Sequence, residues 1–243
     1  MISIIIPIYN EEDNLLQYNN DFFPYTEKIS TDFNLPFEYI FVDDGSSDSS
    51  VEILEDIAKK RSDCTLLFHK TNKGMGGALK TGISGSNGDL IVTIDSDLTY
   101  RPEDIKKLID AYRITQADCI SGSPYAEANL IENVPLSKKI PSIVLNLMYR
   151  LLLRQKITCV SAVFRLYKKD ALKTISIESN DFSINAEILV KFLFSGKKIY
   201  EIPAVLHSRE YGISKLDARK EIINNLRLLS KIMKIKIFGS SWN

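Results

Sequence analysis

Two carboxylates, Asp95 and Asp97, stand one residue apart in the stretch GDLIVTIDSDLTYRPEDI, directly after an apolar run at 90–94. Charge at the end of a buried strand is costly unless something neutralises it. A turn at the strand end lets both carboxylates reach one hard cation, and carboxylate oxygens suit Mg²⁺ or Mn²⁺. A cation held by so few protein ligands shares its shell with substrate phosphates. The plain alternative is a strand-to-loop junction with two solvated aspartates, and a lone D-x-D is common by chance.

Three further clusters sit beside similar junctions. VDDGSSD (42–48) ends an apolar run on two carboxylates followed by turn residues, and PIYNEE (7–12) ends the first such run on a polar group. NKGMGGALKTG (72–82) is glycine-rich and carries Lys73 and Lys80. It lacks both the G-x-x-x-x-G-K-[ST] and the G-x-G-x-x-G spacing, so it reads either as a phosphate cradle or as a flexible turn into a helix. His69 and His207 are the only histidines, which excludes a His-rich metal site, and no His–Asp or Cys–His pair stands out.

The elements that must position these residues alternate. ISIII, FEYIFV, TLLFH, LIVTI and DCISGS read as strands. SVEILEDIAKK, with a Ser49-x-x-Glu52 capping box and apolar Val51, Leu54 and Ile57, reads as a helix. PEDIKKLIDAY reads as another, with Pro102 near its start and Ile105, Leu108, Ile109 and Tyr112 on one face. The alternation predicts an α/β fold with a mostly parallel sheet flanked by helices. Ligands of such sheets bind beyond the carboxyl ends of the strands, where the acidic clusters fall.

The chain has 243 residues, enough for one large domain, with 31 Lys+Arg balanced by 31 Asp+Glu. The balance argues against a protein that coats nucleic acid. Cys64, Cys119 and Cys159 have no C-x-x-C spacing, which suggests reduced thiols and a cytoplasmic setting. The first residues lack the features of a signal peptide, and no apolar stretch has the roughly 20 residues of a spanning helix. Residues 136–156 carry five basic and no acidic residues, and 215–236 carry seven basic residues against Asp217 and Glu221. Both read as basic amphipathic helices, the second with a stripe of Ile222, Leu226, Leu229 and Met233. That pattern predicts peripheral attachment to an anionic membrane face; the alternative is a core-facing stripe with a solvated basic back.

SIIIPIYNEEDN, FVDDGSSDSS, NKGMGGALKTGI, DSDLTYRPEDI, SAVFRLYKK, EILVKFLFSGKKIYEIP and REYGISKL occur in order over roughly residues 1 to 217. Together they resemble the polyprenyl-phosphate branch of the family 2 glycosyltransferases, typified by dolichol-phosphate mannose synthase. The resemblance implies a GT-A fold, a nucleotide-sugar donor (GDP-mannose or a UDP-hexose), Mg²⁺ or Mn²⁺, and inverting transfer to a polyprenyl phosphate such as dolichyl phosphate. It places Pro7, Tyr9 and Glu11 at the nucleoside and Val42 and Asp44 at the base. Asp95, Ser96 and Asp97 fall at the ribose–diphosphate region, with Asp95, Asp97 and Thr99 as metal ligands. Arg209 and Lys215 match the basic residues that close over the diphosphate and, with Asp97, form the catalytic set. Ser123, Lys138 and Ser142 match the acceptor-phosphate site.

The likeness departs on the acceptor side. G-S-R-Y of the family is Gly122-Ser123-Pro124-Tyr125, and its D-x-T-S-G-F-R is Cys159-Val160-Ser161-Ala162-Val163-Phe164-Arg165. A phosphate-binding Arg is therefore absent at Pro124, for which Lys138, Ser142 and in part Arg209 are expected to compensate. The expected division is a glycosyltransferase domain at 1–214 and a basic amphipathic helix and tail at 215–243, packed on the domain or the membrane surface. Two other readings stay open: a hydroxyl acceptor with Glu187 as base, and a nucleotide-sugar-binding protein without turnover. Glu187 also reads as a structural carboxylate near a helix start, and that reading is preferred.

Overall fold

The computed structural model describes residues 1–132, 136–212, 215 and 217–238, with side chains for all of these except 136–138, 218 and 238. The first half runs β1 (Ile2–Ile8), α1 (Glu12–Leu15), α2 (Tyr18–Asp21), α3 (Phe23–Phe33), β2 (Phe37–Asp43), α4 (Ser50–Lys60), β3 (Cys64–Phe68), α5 (Met75–Gly85) and β4 (Leu90–Thr93). A 3-10 turn, Pro102–Asp104, leads into α6 (Ile105–Thr115), followed by β5 (Cys119–Ser123). The second half adds α7 (Leu136–Leu153), β6 (Arg165–Lys168), α8 (Lys169–Lys173), α9 (Ile184–Phe194), β7 (Ile199–Pro203) and α10 (Ala218–Phe238).

The seven strands lie in the order β3-β2-β1-β4-β6-β5-β7. All pairings are parallel except those of β6, which runs antiparallel to β4 and β5. β1 is buried along its whole length, as a central parallel strand covered on both faces must be. Its alternate side chains enter two cores. Ile2, Ile4, Ile6 and Ile8 pack toward α3, α4 and α6, and Ile5 toward α5, α7, α9 and α10.

The expected capping box on α4 does not form: Ser49 stands at the N-cap without a side-chain cap bond. The start of α4 is instead tied to the segment after β1. Ser50 Oγ accepts the Glu11 N–H at 2.9 Å, and Glu12 Oε2 accepts the Ser49 N–H at 2.9 Å. These bonds hold Glu11 at the end of β1.

α10 packs on α7, with Leu228, Leu229 and Ile232 in the core beside Tyr149 and Leu153. The stripe expected on α10 is therefore divided. Leu229 faces the core, whereas Ile222, Leu226 and Met233 are about half exposed. α7 likewise exposes Ile140, Ile143, Val144, Leu147, Met148 and Leu151. Among the described residues no helix is long and apolar enough to cross a membrane.

Candidate functional site

The carboxyl ends of β1, β2 and β4 open onto a cavity of about 470 Å³. Pro7, Tyr9 and Glu11 reach it from β1, Asp44 from β2, and Asp95, Ser96 and Asp97 from the loop after β4. Arg209 and Lys215, far along the chain, line the same cavity, as do Asp181, Phe182 and Glu221. Strand register explains the convergence, because Asp44 N–H donates to Ile8 O at 2.8 Å and Ile94 N–H to Ile5 O at 3.2 Å.

β4 ends at Thr93, so Asp95 and Asp97 sit in a turn. Leu98 adopts φ 54°, a left-handed conformation that a branched side chain rarely takes. That bend lets Thr99 hold Asp97: its N–H and its hydroxyl donate to Asp97 Oδ1 at 3.1 and 2.9 Å. The buried Tyr18 hydroxyl donates to Ser96 O at 3.0 Å and braces the turn from behind.

Arg209 bridges two of the strand ends. Its Nε donates to Asp97 Oδ2 at 3.0 Å, while Nη1 and Nη2 donate to Glu11 Oε2 and Oε1 at 3.2 and 3.0 Å. Asn14 Nδ2 also donates to Glu11 Oε2, at 2.5 Å. Burial, then the Asp97 charge, holds the Asp95 carboxyl well above the usual carboxylate range, while Arg209 acts in the opposite direction. Glu11 is raised as well, by burial ahead of every other cause, although Arg209 and Asn14 lower it. Arg209 thus bridges the Glu11 and Asp97 carboxylates, with Asp95 near enough to feel its charge. Among the described residues no group of three or more His, Cys, Asp or Glu side chains is arranged to hold a metal alone.

Other residues singled out from the sequence lie elsewhere. Val42 is fully buried in the core beneath α5, with no face on the cavity. Ser123 is buried and bonded to Thr158 at 2.6 Å. Ser142 stands beside the half-buried Tyr125, whose hydroxyl burial pushes up in pKa while Ser142 lowers it. The side chain of Lys138 lies outside the described residues.

Glu187 is 2% exposed, and it accepts the N–H groups of Glu178 and Ser179 at 2.9 and 2.8 Å. It also pairs with Lys191 at 2.7 Å. Burial raises its pKa, but these partners outweigh it and leave the group below its ordinary value. Glu187 is thus a structural carboxylate. Arg165 is fully buried too, and it donates to the carbonyls of Val160 and Asn185 at 2.7 and 2.6 Å.

The glycine-rich stretch is a turn into α5. The Gly76 and Gly77 N–H groups are taken by Asn180 O at 2.8 and 3.2 Å. A Cβ on Gly76 would stand 2.5 Å from Ser179 O, so the glycine admits the neighbouring backbone. Sequence reasoning missed Tyr18, Asn14 and His69. Tyr18 and Asn14 look like ordinary helical residues, and His69 follows a strand with no motif around it. The bond from His69 Nδ1 to Asp44 Oδ1, at 2.6 Å, appears only when β3 is laid beside β2.

Residues 3–176 match the sequence profile described as Glycosyl transferase family 2. The chain belongs to that family. Among curated family 2 relatives, it is 31% identical over 236 residues to a dolichol-phosphate mannosyltransferase of Pyrococcus furiosus, covering 96% of this chain and 64% of that protein. It is also 29% identical over 218 residues to an undecaprenyl-phosphate mannosyltransferase of Micrococcus luteus, covering 87% and 86% of the two chains. Solved structures share the GT-A fold at low identity. Glucosyl-3-phosphoglycerate synthase from Mycobacterium tuberculosis, in complex with Mn²⁺, UDP and phosphoglyceric acid, matches with a TM-score of 0.67 at 17% identity, over 96% of this chain and 77% of that one. A mannosyltransferase from Pyrobaculum calidifontis, in complex with GDP-Man and Mn²⁺, matches with a TM-score of 0.61 at 16% identity, over 99% and 65%. This family 2 chain therefore carries a glycosyltransferase domain.

Proposed function

We propose that this protein transfers one hexose from a nucleotide-sugar donor, GDP-mannose or a UDP-hexose, to a polyprenyl phosphate such as dolichyl phosphate. The observation that carries the reading is the shared cavity, where Asp95 and Asp97 meet Arg209 and Lys215. Carboxylates for a cation beside two basic side chains suit a diphosphate that must leave with its charge neutralised. The names of the Pyrococcus and Micrococcus relatives support the lipid-phosphate acceptor.

In this reading Asp95 and Asp97 would hold Mg²⁺ or Mn²⁺, which would supply charge stabilisation for the departing diphosphate, and Thr99 buttresses Asp97. Pro7, Tyr9, Glu11, Asp44 and Ser96 form the nucleoside side. A lipid-phosphate oxygen attacks the anomeric carbon from the face opposite the diphosphate. The new C–O bond forms as the old one breaks, and the configuration inverts. The diphosphate keeps the electron pair, and Arg209 and Lys215 take up its charge. The acceptor is already anionic, so no general base is required. Glu187, the base the hydroxyl-acceptor reading needs, is occupied by Glu178, Ser179 and Lys191.

Residues 1–214 form the catalytic domain in this account, and 215–243 the basic helix and tail. The exposed apolar residues of α7 and α10 lie among Lys139, Arg150, Arg154, Arg227, Lys234 and Lys236, which suits peripheral binding to an anionic membrane. Lys138 and Ser142 serve the acceptor phosphate, so Lys138→Ala raises the acceptor KM far more than the donor KM. The test is a panel of labelled nucleotide sugars incubated with polyprenyl phosphate or free saccharides. Label in the organic phase, dependent on a divalent cation, supports the proposal. Transfer only to saccharides moves the hydroxyl-acceptor reading ahead, and donor binding without any transfer favours a protein that has lost turnover.

A further inference from the structure

His69 stands one residue beyond β3, and its N–H donates to Asp43 O at 2.9 Å, extending the β2–β3 ladder. Its side chain is 3% exposed and that of Asp44 is 4% exposed. Ring Nδ1 lies 2.6 Å from Asp44 Oδ1, and ring Nε2 lies 2.8 Å from Thr81 Oγ1 on α5. An ionised carboxylate only accepts, so Nδ1–H donates to Asp44, while Nε2 shares a hydrogen bond with the Thr81 hydroxyl. The imidazole is thereby a strut between the end of β2 and the side of α5.

The strut acts on Asp44, a carboxylate acceptor that lines the cavity. Asp44 Oδ1 takes His69 Nδ1–H and the Lys73 N–H at 2.9 Å, and Oδ2 takes the Gly74 N–H at 2.8 Å. A carboxylate offers about four acceptor sites, so these bonds leave one, on Oδ2. The same cavity wall carries the apolar Pro7, Ile8, Met75 and Ala78 together with Asn72 and Gly74. A flat heterocycle with a ring N–H meets both features. Uracil and guanine carry such a ring N–H, whereas cytosine and adenine present a bare ring nitrogen at that edge.

We propose that His69 is a positioning residue for the donor's nucleobase: it fixes Asp44 so that Oδ2 accepts the ring N–H of uracil or guanine, and thereby sets the selection against cytosine and adenine. The inference rests on the donor-site reading above. Without the His69 bond, Asp44 is held only by the Lys73 and Gly74 N–H groups, a second acceptor site opens on Oδ1, and its free site on Oδ2 is aimed less strictly.

The experiment measures calorimetric Kd values for UDP, GDP, CDP, ADP and inorganic pyrophosphate, each with Mn²⁺, in the wild type, His69→Gln and His69→Asn. Asn places its amide nitrogen near the position of Nδ1 and keeps a donor for Asp44, whereas Gln places its amide near Nε2 and loses it. His69→Gln weakens the preferred nucleotide roughly tenfold. It also narrows the preference over CDP and ADP, and it leaves pyrophosphate unchanged. His69→Asn retains most of the wild-type preference. Wild-type affinity in His69→Gln overturns the proposal, as does equal weakening of pyrophosphate, which marks a merely structural role. A His69→Asn variant as weak as His69→Gln overturns it too. Should His69→Gln not fold, Thr81→Val removes the second anchor of the ring, and unchanged discrimination there is the contrary result. Wild-type protein that binds none of the nucleotides overturns the donor-site reading itself, a different failure from intact binding that ignores His69.

Discussion

Arg209 stands where a cation bound to Asp97 would compete with it, and that makes metal and nucleotide binding interdependent. The Arg209 side chain is 20% exposed and those of its partners Glu11 and Asp97 are 8% and 15% exposed, so the contacts are only partly screened. A cation approaching Asp97 must weaken the Arg209 contacts at Oδ2, 3.0 Å from Nε and 2.9 Å from Nη2. One hydrogen bond to a charged group is worth about 1.5–3 kcal/mol, a factor of roughly 10 to 150 in an equilibrium constant. Arg209→Ala therefore binds Mn²⁺ alone about 10-fold or more tightly than the wild type. With a nucleoside diphosphate present the sign reverses, because Arg209 then has a phosphate to bind and the variant lacks that contact. The same substitution leaves the Glu11 and Asp97 carboxylates without their guanidinium partner, so the metal-free variant melts lower and Mn²⁺ restores more of its stability. Paramagnetic resonance of free Mn²⁺, titrated at pH 8 with and without UDP or GDP, reads the affinities. Equal or weaker Mn²⁺ binding by Arg209→Ala without nucleotide refutes the reasoning.

Three other outcomes follow from particular contacts. Gly76→Ala drives a Cβ to 2.5 Å from Ser179 O and costs about 1–3 kcal/mol in denaturant unfolding; an unchanged midpoint contradicts the role assigned to that glycine. Burial, then the charge of Asp181, raises Glu221 from 4.5 to about 7. Its raised folded pKa gives stability that is fully present below about pH 4.5 and lost as pH rises through about 7, so Glu221→Gln matches the wild type at low pH and exceeds it by about 1–2 kcal/mol at pH 8. A wild-type advantage at pH 8 contradicts this sign. Co-sedimentation with vesicles rises with anionic lipid and falls with salt, and Leu147→Asp with Leu226→Asp removes it; equal binding to neutral vesicles counts against attachment through α7 and α10.

The five strands of the first half were legible because each is a short apolar run bounded by turn residues, and β1 to β4 bring the acidic clusters to one edge of the sheet. β6 and β7 were not legible. β6 opens on Arg165, a charge that belongs to the interior because two carbonyls and the hydroxyls of Ser121 and Tyr167 accept from it. β7 alternates exposed residues with half-buried or buried ones at a sheet edge, without an apolar run. Asp95, Asp97, Glu11, Asp44, Arg209 and Lys215 could be named in advance and do share a cavity. The bridge from Arg209 to Glu11 spans 198 residues, and no local pattern encodes it. Val42 was named with Asp44, but strand alternation turns its side chain into the core. The Ser49 capping box failed because Glu12, from another segment, takes the N–H that a local cap would have involved.

The central claim is that this strand-end cavity holds the donor's diphosphate and its cation. Its most direct test is a crystal structure with Mn²⁺ and the nucleoside diphosphate that binds best, with anomalous scattering measured at the manganese edge. The account predicts a single strong peak between the Asp97 carboxylate and the diphosphate, with Arg209 moved from Glu11 onto a phosphate oxygen. Manganese bound away from Asp95 and Asp97, or Arg209 still bridging Glu11 and Asp97 with the nucleotide in place, contradicts it.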